Sequence, residues 1–324
     1  MSEIRMGLVG SGGMAWRRAR NFQEIPYSKV TSIAARNPET GRALANEMKC
    51  HLHSDWRSLI DDEEIDAVVI CTHNALHGEI VIKALENNLH VFTEYPIARY
   101  QNEIKKIRQL TKKSSPILRA AHSETVSLEH QALKDQIEGM GDLVASNFLR
   151  LTPNRGTRPE VLFNLKLSGP PALFFIYHIY PMIDLFGPAI WVESHANYRN
   201  LRKNGSYDCF FNTLTVGFAE AGIAQWTWAG GIEIKSARQF EHIVLSKGTL
   251  TYERENWTFS NRETVKDLKT PIMENETLEA QFVREILEEN DLWREDLETA
   301  LHATEIGIAA EGSATKGSRL ILPL

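Results

Sequence analysis

The N-terminal third of the chain alternates short apolar runs with stretches of helical spacing, and this alternation restricts the possible folds more than any other feature. Apolar runs that predict strands lie at 5–9, 30–35, 67–71, 90–93 and 117–121. Helical spacing fills the intervals between them, at 15–22, 40–49, 76–86 and 101–112. Strands that alternate with helices predict βαβ units, whose strands form one parallel sheet.

The rest of the chain has longer segments in which apolar and polar residues alternate. These segments lie at 143–151, 191–198, 210–218, 223–229 and 243–246, with helical spacing at 128–138 and 292–316. This pattern predicts a large, mostly antiparallel sheet. A length of 324 residues suggests about two domains. We therefore expect an α/β chain: a doubly wound parallel sheet of the Rossmann type in residues 1–124, followed by an α+β domain in residues 125–324. The last helix, at 296–316, is expected to pack back on the first domain.

Composition excludes several classes of function. A formal net charge of -6 argues against a general nucleic-acid or membrane-surface role, since both favour basic patches. The spacing of Cys50, Cys71 and Cys209 matches neither a disulfide framework nor a zinc site, so we expect no metal. The N-terminus has no signal-peptide pattern, and a reducing cytoplasm is the expected setting. The most apolar stretch, 171–192, contains His178 and Asp184 and is expected to be a buried segment of a soluble domain.

A glycine-rich loop follows the first predicted strand. Its residues are Gly10, Ser11, Gly12, Gly13 and Met14, and Ala15 occupies the third small position of the dinucleotide fingerprint. The first glycine permits a tight turn, the second lets the backbone approach a diphosphate, and the small residue allows the helix to pack on the strand. The helix N-terminus then offers unpaired N–H groups to the phosphates. The loop therefore predicts a nicotinamide dinucleotide site.

The end of the second predicted strand bears on which nicotinamide cofactor binds. NAD sites normally have an acidic residue there to bind the ribose hydroxyls, whereas this strand is followed by Arg36 and Asn37. A guanidinium can pair with the 2′-phosphate of NADPH and stack on adenine. We therefore expect NADPH rather than NADH, with a solvated surface arginine as the alternative reading of Arg36.

Two further strand ends carry a family resemblance. The segment Thr72-His73-Asn74-Ala75-Leu76-His77 resembles the Thr-Pro-Asn-x-x-His motif of the Gfo/Idh/MocA oxidoreductases, and Glu94-Tyr95-Pro96 resembles their Glu-Lys-Pro motif. The resemblance implies a cis peptide bond before Pro96. It also implies that the cofactor is lined by Thr72, His73, Asn74, His77, Glu94 and Tyr95. For His77, a capping or packing role is an equal alternative.

Tyr95 separates this chain from the sugar-oxidising members of that family. Alcohol oxidation needs a base for the hydroxyl proton, and a lysine of lowered pKa supplies one, whereas a tyrosine with a reference pKa of about 10 is a poorer base. Those members also usually have an aspartate four residues before a catalytic histidine, where this chain has Phe174. Glu-Tyr-Pro resembles the biliverdin reductase branch, as do the segments at 76–78, 122–124, 184–187 and 296–301. That resemblance implies NADPH-dependent reduction of a bilin, whose pyrrole nitrogen takes a proton without a strong base.

Three side chains are candidate proton donors: Tyr95, Glu124 and His178. Tyr95 could instead only pack against the cofactor ring, and His178 could be a satisfied core histidine. The propionates of a bilin call for cationic partners, for which Arg155, Arg158 and Lys166 are candidates, although a solvated charged loop is the commoner meaning of such residues.

Two other functions stay open at this point. The chain could be a sugar or cyclitol dehydrogenase whose proton relay has moved to His178 or His122, or a cofactor-binding regulatory protein without turnover. In each case the expected partner is a small molecule, with no nucleic acid or membrane. The sheet of the second domain could also pair two copies into a homo-oligomer.

Overall fold

A computed structural model describes residues 3–113, 116–153, 160–220, 222–270 and 275–324. The chain divides into two compact units. The first comprises Met1–Val126 and Glu276–Leu301, and the second comprises Ser127–Asn275 and His302–Leu324. The expected single division at residue 124 thus differs from the structure, because the chain contributes to the first unit a second time near its end.

The strands and helices of both units are as follows. The strands are β1 (Ile4–Val9), β2 (Ser28–Ala34), β3 (His51–His53), β4 (Ala67–Ile70), β5 (His90–Thr93), β6 (Leu118–Ala120), β7 (Leu143–Pro153), β8 (Ala189–Arg199), β9 (Cys209–Phe218), β10 (Ile223–Ile232), β11 (Arg238–Leu245), β12 (Gly248–Glu253), β13 (Asn256–Ser260), β14 (Val265–Asp267) and β15 (Leu320–Ile321). The helices are α1 (Gly13–Glu24), α2 (Pro38–Met48), α3 (Trp56–Ile60), α4 (His77–Glu86), α5 (Gln101–Lys113), α6 (Leu128–Ile137), α7 (Pro171–Phe174), α8 (Tyr180–Phe186), α9 (Leu278–Glu288) and α10 (Trp293–Lys316).

The first unit contains a six-stranded parallel sheet in the order β3-β2-β1-β4-β5-β6. This is the doubly wound order, which confirms the predicted Rossmann sheet. All four residues of β4 are completely buried, as expected of a central strand covered by helices on both faces. The sequence patterns did not reveal β3 and α3, because elements of three and five residues are too short to establish a period.

A buried ion-pair cluster connects α9 and α10 to the sheet of the first unit. Arg119 in β6 donates from Nε to Glu285 Oε2 at 3.0 Å and from Nη2 to Glu285 Oε1, and its Nη1 donates to Asp296 at 3.0 Å. The side chains of Arg119 and Glu285 are almost completely buried. Because neither charge can be left alone in this interior, the segment 276–301 is held to the first unit.

The second unit contains a nine-stranded sheet in the order β14-β13-β12-β11-β7-β10-β9-β8-β15. Every pairing is antiparallel except that of β7 with β10, which confirms the mostly antiparallel sheet. One face is buried and carries Phe148, Trp226 and Trp228. The opposite face exposes the apolar side chains of Leu149, Phe211, Ile223 and Phe240. Pairing of two copies through that exposed face stays a prediction.

The apolar stretch at 171–192 is divided among short elements of the second unit. It contains α7, a 3₁₀ helix at Ile176–His178, α8 and the start of β8, and most of its residues are buried. Among the described residues, no helix has both the length and the apolar composition needed to cross a membrane.

Arg119→Met should lower the free energy of unfolding by about 3 kcal/mol or more, because Glu285 would keep a buried charge without a partner. Arg20→Met is the matched control, since Arg20 forms an exposed, solvent-screened ion pair with Glu47 whose loss should leave the free energy of unfolding nearly unchanged. Urea unfolding followed by circular dichroism measures both. Equal losses in the two variants would show that the Arg119 cluster does not stabilise the first unit.

Candidate functional site

The loop after β1 passes close to the end of β4. Gly10 has a φ of 133°, and a Cβ atom there would collide with the carbonyl oxygen of Cys71. Only glycine therefore fits at this position. The loop is also held by the N–H of Gly10, which donates to the carbonyl of Ala34 at 2.8 Å.

The N-terminus of α1 opens onto free space. Gly12 is the N-cap, no side chain caps the helix, and its first turn contains no acidic residue. A Cβ atom at Gly12 or Gly13 would have nothing within 4 Å, and Met14 is exposed. The unpaired N–H groups of this turn and the positive end of the helix dipole thus lie beside open space, an arrangement that favours anion binding.

The end of β2 presents hydroxyl groups and a guanidinium. Ser11 Oγ lies 2.7 Å from Thr40 Oγ1, so these hydroxyls connect the glycine-rich loop to α2. Arg36 is exposed, and within the described ranges no carboxylate forms an ion pair with it. Its charge is therefore available to an anion.

Asn37 is the N-cap of α2. Its Oδ1 accepts hydrogen bonds from the N–H groups of Glu39 at 2.9 Å and Thr40 at 3.4 Å. The side-chain oxygen therefore supports the helix, and a cofactor contact of Asn37 stays a prediction.

The segment after β4 places Thr72, His73 and Asn74 at the carboxyl edge of the sheet. The hydroxyl of Thr72 donates to the carbonyl of His73 at 3.0 Å, and Asn74 is buried. His73 is half-buried, and its Nδ1 is enclosed without a hydrogen-bond partner among the described residues. Burial, followed by the charge of Arg36, lowers the pKa of His73, so this imidazole is neutral beside the arginine.

His77 joins two loops. It is almost completely buried, with Nδ1 2.8 Å from the carbonyl oxygen of Pro96 and Nε2 3.2 Å from that of Thr72. Burial lowers its pKa, so the ring is neutral, and we assign the proton to Nδ1, which makes the shorter contact. Both nitrogens face backbone oxygens, which favours the packing alternative, and a cofactor contact of His77 stays a prediction.

Glu94 is bound to a residue that the sequence patterns did not identify. Arg18 in α1 donates from Nε to Glu94 Oε1 at 2.8 Å and from Nη1 to Glu279 Oε1 at 2.8 Å. Burial raises the pKa of Glu94, and the adjacent Arg18 opposes that effect. Glu94 Oε1 thus pairs with Arg18, and a cofactor contact of Glu94 stays a prediction. Arg18 could have been suspected, because it lies on the apolar face of α1 between Ala15 and Phe22.

Tyr95 lies beside a buried histidine. The peptide bond between Tyr95 and Pro96 is cis, as the family resemblance implies. The ring of Tyr95 stacks on that of His122, with centroids 5.3 Å apart and planes at 19°. Burial lowers the pKa of His122 to about 3, and its Nδ1 lies 3.8 Å from Glu124 Oε2. The structure therefore brings Tyr95, a neutral His122 and Glu124 together in the first unit.

His178 belongs to the second unit and has the surroundings of a core histidine. Its Nδ1 accepts a hydrogen bond from the indole N–H of Trp228 at 3.0 Å, so the ring proton is on Nε2. Trp226 donates to its carbonyl oxygen at 2.9 Å. Burial, followed by the charge of Arg150, lowers the pKa of His178 well below its usual value. A neutral imidazole is a poor acid, so this geometry favours the packing alternative over proton donation.

Of the three cations suggested for substrate carboxylates, Arg155 and Arg158 lie outside the described residues. Lys166 is exposed, and its Nζ donates to the carbonyl of Lys203 at 2.8 Å. Lys166 thus supports a turn of the second unit. In the parts of the chain that the structure describes, no group of three or more histidine, cysteine or acidic side chains could hold a metal ion.

Comparisons with known proteins agree with this geometry. Residues 4–122 match the GFO_IDH_MocA family model, which is described as an oxidoreductase family with an NAD-binding Rossmann fold. The scyllo-inositol 2-dehydrogenase (NAD(+)) of Bacillus subtilis (strain 168) is 24% identical over 338 residues, which covers 97% of this chain and 95% of that protein. Other curated relatives are matched over about a third to a half of their own length.

Solved structures share the fold over the whole chain. The biliverdin reductase from Synechocystis sp. PCC 6803, in complex with biliverdin and NADP+, has a TM-score of 0.85 at 22% identity and covers 96% of this chain and 99% of that one. A levoglucosan dehydrogenase in complex with NADH and levoglucosan has a TM-score of 0.78 at 21% identity and covers 99% and 100%. The family-model match and the sheet order thus agree on an oxidoreductase-type, NAD-binding Rossmann fold in residues 4–122, and the solved structures share the fold of the whole chain.

Proposed function

We propose that this protein is an NADPH-dependent reductase that converts biliverdin to bilirubin. The observation that carries the proposal is Tyr95, which stands where sugar-oxidising members of the family have a lysine and which stacks on a neutral His122. Neither side chain is a base suited to taking a proton from an alcohol near neutral pH. The fold likeness to a biliverdin reductase that holds biliverdin and NADP+ supports the same assignment.

The chemistry of bilin reduction is compatible with these groups. Bound NADPH supplies a hydride, which adds to the methine carbon of biliverdin, and a proton from the protein or solvent adds to a pyrrole nitrogen. Because that nitrogen has a basicity near neutrality, a weak acid is sufficient. The Tyr95 hydroxyl is the first candidate donor, and Glu124 is the second because its carboxylate lies beside His122. His122 holds the plane of the Tyr95 ring by stacking on it.

The preference for NADPH rests on the end of β2. A carboxylate there would repel a 2′-phosphate, whereas Arg36 is exposed and, among the described residues, pairs with no carboxylate. Ser11 and Thr40 place two hydroxyl groups in the adjoining loop and helix. The backbone N–H groups at Gly12, Gly13 and Met14 would hold the diphosphate.

A sugar or cyclitol dehydrogenase is the second candidate, since an inositol dehydrogenase aligns with nearly the whole chain. That activity would need a relocated base at His122 or His178. Burial lowers the pKa of His122 to about 3 and that of His178 well below its usual value, so both are weak bases. The titration of these two groups therefore favours reduction of a bilin over oxidation of an alcohol.

Mixing the protein with NADPH and biliverdin should convert the green pigment to yellow bilirubin, with consumption of one NADPH for each bilirubin formed. The visible spectrum and the loss of NADPH absorbance measure this conversion. A parallel panel contains scyllo-inositol, myo-inositol and levoglucosan with NADP+ or NAD+. Turnover in that panel without any bilirubin would contradict the proposal, and NADPH binding without hydride transfer to any compound would favour a regulatory protein.

Tyr95→Phe should lower kcat for biliverdin by about a hundredfold or more, because it removes the phenolic proton while keeping the ring that stacks on His122. Tyr100→Phe is the matched control on the same loop, since Tyr100 is exposed and its hydroxyl is not placed in the site. Stopped-flow absorbance under saturating NADPH measures both rates. If Tyr95→Phe keeps most of the wild-type rate, Tyr95 only packs.

Arg36→Ser should raise the KM for NADPH by about 10- to 100-fold and change the KM for NADH little, because charge-assisted bonds to the 2′-phosphate would be lost. Arg57→Ser, at an exposed position of α3, controls for the general loss of a surface charge. Steady-state assays with NADPH and with NADH give the KM of each variant relative to that of the wild-type protein. A parallel rise in both KM values would show that Arg36 does not discriminate between the cofactors.

A further inference from the structure

We propose that Arg150 is a binding group for a carboxylate-bearing small molecule on the second unit. This inference rests on the proposed function for the choice of ligand, a bilin with its propionates. Arg150 lies on β7, a strand whose side chains alternate between the buried and exposed faces of the nine-stranded sheet. It shares the buried face with Phe148, whereas Leu149 between them is exposed on the other face.

The neighbours of Arg150 leave most of its hydrogen-bonding capacity unused. Trp228 of β10 and Gln239 of β11 flank it in the sheet. Its Nη1 donates to Gln239 Oε1 at 2.7 Å. Its Nε is enclosed but has no acceptor within the described segments, and no carboxylate of those segments forms an ion pair with the guanidinium. A guanidinium has five donors and keeps its charge in proteins, so a half-buried one without a counterion favours an anionic ligand.

Glu241 and Glu129 of the second unit form no ion pair with Arg150 within the described ranges. Glu241 follows Gln239 by two positions on β11 and therefore lies on the same face as Gln239. Burial, followed by the charge of Glu129, raises the pKa of Glu241 to about 8, so it is largely protonated at neutral pH. Glu129 accepts a hydrogen bond from the indole N–H of Trp257 at 2.7 Å. Neither carboxylate is therefore a direct ion-pair partner of Arg150.

A closed aromatic cluster supports the position of Arg150. Phe175 stacks on Trp228 with centroids 5.8 Å apart and on His178 with centroids 5.5 Å apart. These three side chains are buried, and Trp228 is the cross-strand neighbour of Arg150. A charge that is partly shielded from water attracts an anion more strongly than an exposed one does. Because Arg150 itself is only half-buried, the rest of its guanidinium stays accessible to a ligand.

The ligand class follows from the geometry of the guanidinium. Two parallel N–H groups of an arginine match the two oxygens of a carboxylate. Biliverdin carries two propionates, and its dimethyl ester has the same conjugated system without these charges. A neutral sugar or cyclitol has no carboxylate to accept from both of these N–H groups. Arg150 would therefore select substrates that carry a carboxylate.

The test compares binding of biliverdin with binding of its dimethyl ester, by titration of the bilin absorbance without NADPH. The wild-type protein should bind the free acid about 10- to 100-fold more tightly than the ester. Arg150→Gln should weaken binding of the acid by that factor and leave binding of the ester unchanged. Arg238→Gln is the matched control, because Arg238 is an exposed arginine on β11 that points to the opposite face. The dissociation constant of NADPH should be unchanged in both variants.

Two results would overturn the inference: equal affinity of the wild-type protein for acid and ester, or unchanged affinity for the acid in Arg150→Gln. Turnover of biliverdin would in that case still support the proposed function. If biliverdin does not bind, the proposed function fails, and the inference is decided by calorimetry with D-glucuronate and D-glucose. A preference for glucuronate that Arg150→Gln abolishes supports it, and the absence of that preference overturns it. If Arg150→Gln does not fold, Arg150→Lys is measured instead. Unchanged affinity of this variant for the free acid overturns the inference, and a severalfold loss of affinity for the acid but not for the ester supports it.

Discussion

The approach of the Gly10 backbone to the carbonyl of Cys71 is the constraint on which the rest of the first unit depends. It brings the loop after β1 against the end of β4, so that α1 begins with uncapped N–H groups beside open space. The same loop places Ser11 against Thr40 and thereby connects the glycine-rich loop to α2, which follows the strand end that carries Arg36. A side chain at Gly10 would separate these parts even if every other residue were unchanged.

Burial controls the distribution of charge in both units. It keeps the imidazoles of His77, His122 and His178 neutral, so none of them acts as a cation near pH 7. Permanent positive charge comes instead from arginines. Arg18 and Arg119 are matched by buried carboxylates and hold the fold together. Arg36 and Arg150 have no such match among the described residues, and each lies where we propose that an anionic part of a ligand binds.

Local patterns in the sequence predicted the doubly wound parallel sheet with five of its six strands, the glycine-rich loop and the long final helix, because each depends on periodicity or on a short motif. The contacts of Arg18 with Glu279 and of Arg119 with Glu285 join residues that lie far apart in the chain, and no local pattern reveals them. The strands β12, β13 and β14 were missed because they are short and partly polar. The neutral state of His122 could not be predicted, because it depends on burial by distant residues.

The return of the chain to the first unit has a consequence for biosynthesis. The carboxylates of Glu279 and Glu285, which partner the buried Arg18 and Arg119, are translated about 150 residues after Val126. At roughly 5–20 residues per second, a ribosome needs on the order of 8 to 30 s to reach them. During that interval the nascent Rossmann sheet holds two guanidinium groups without their full set of counterions. The first unit therefore completes its interior only after the intervening residues 127–275 have been translated.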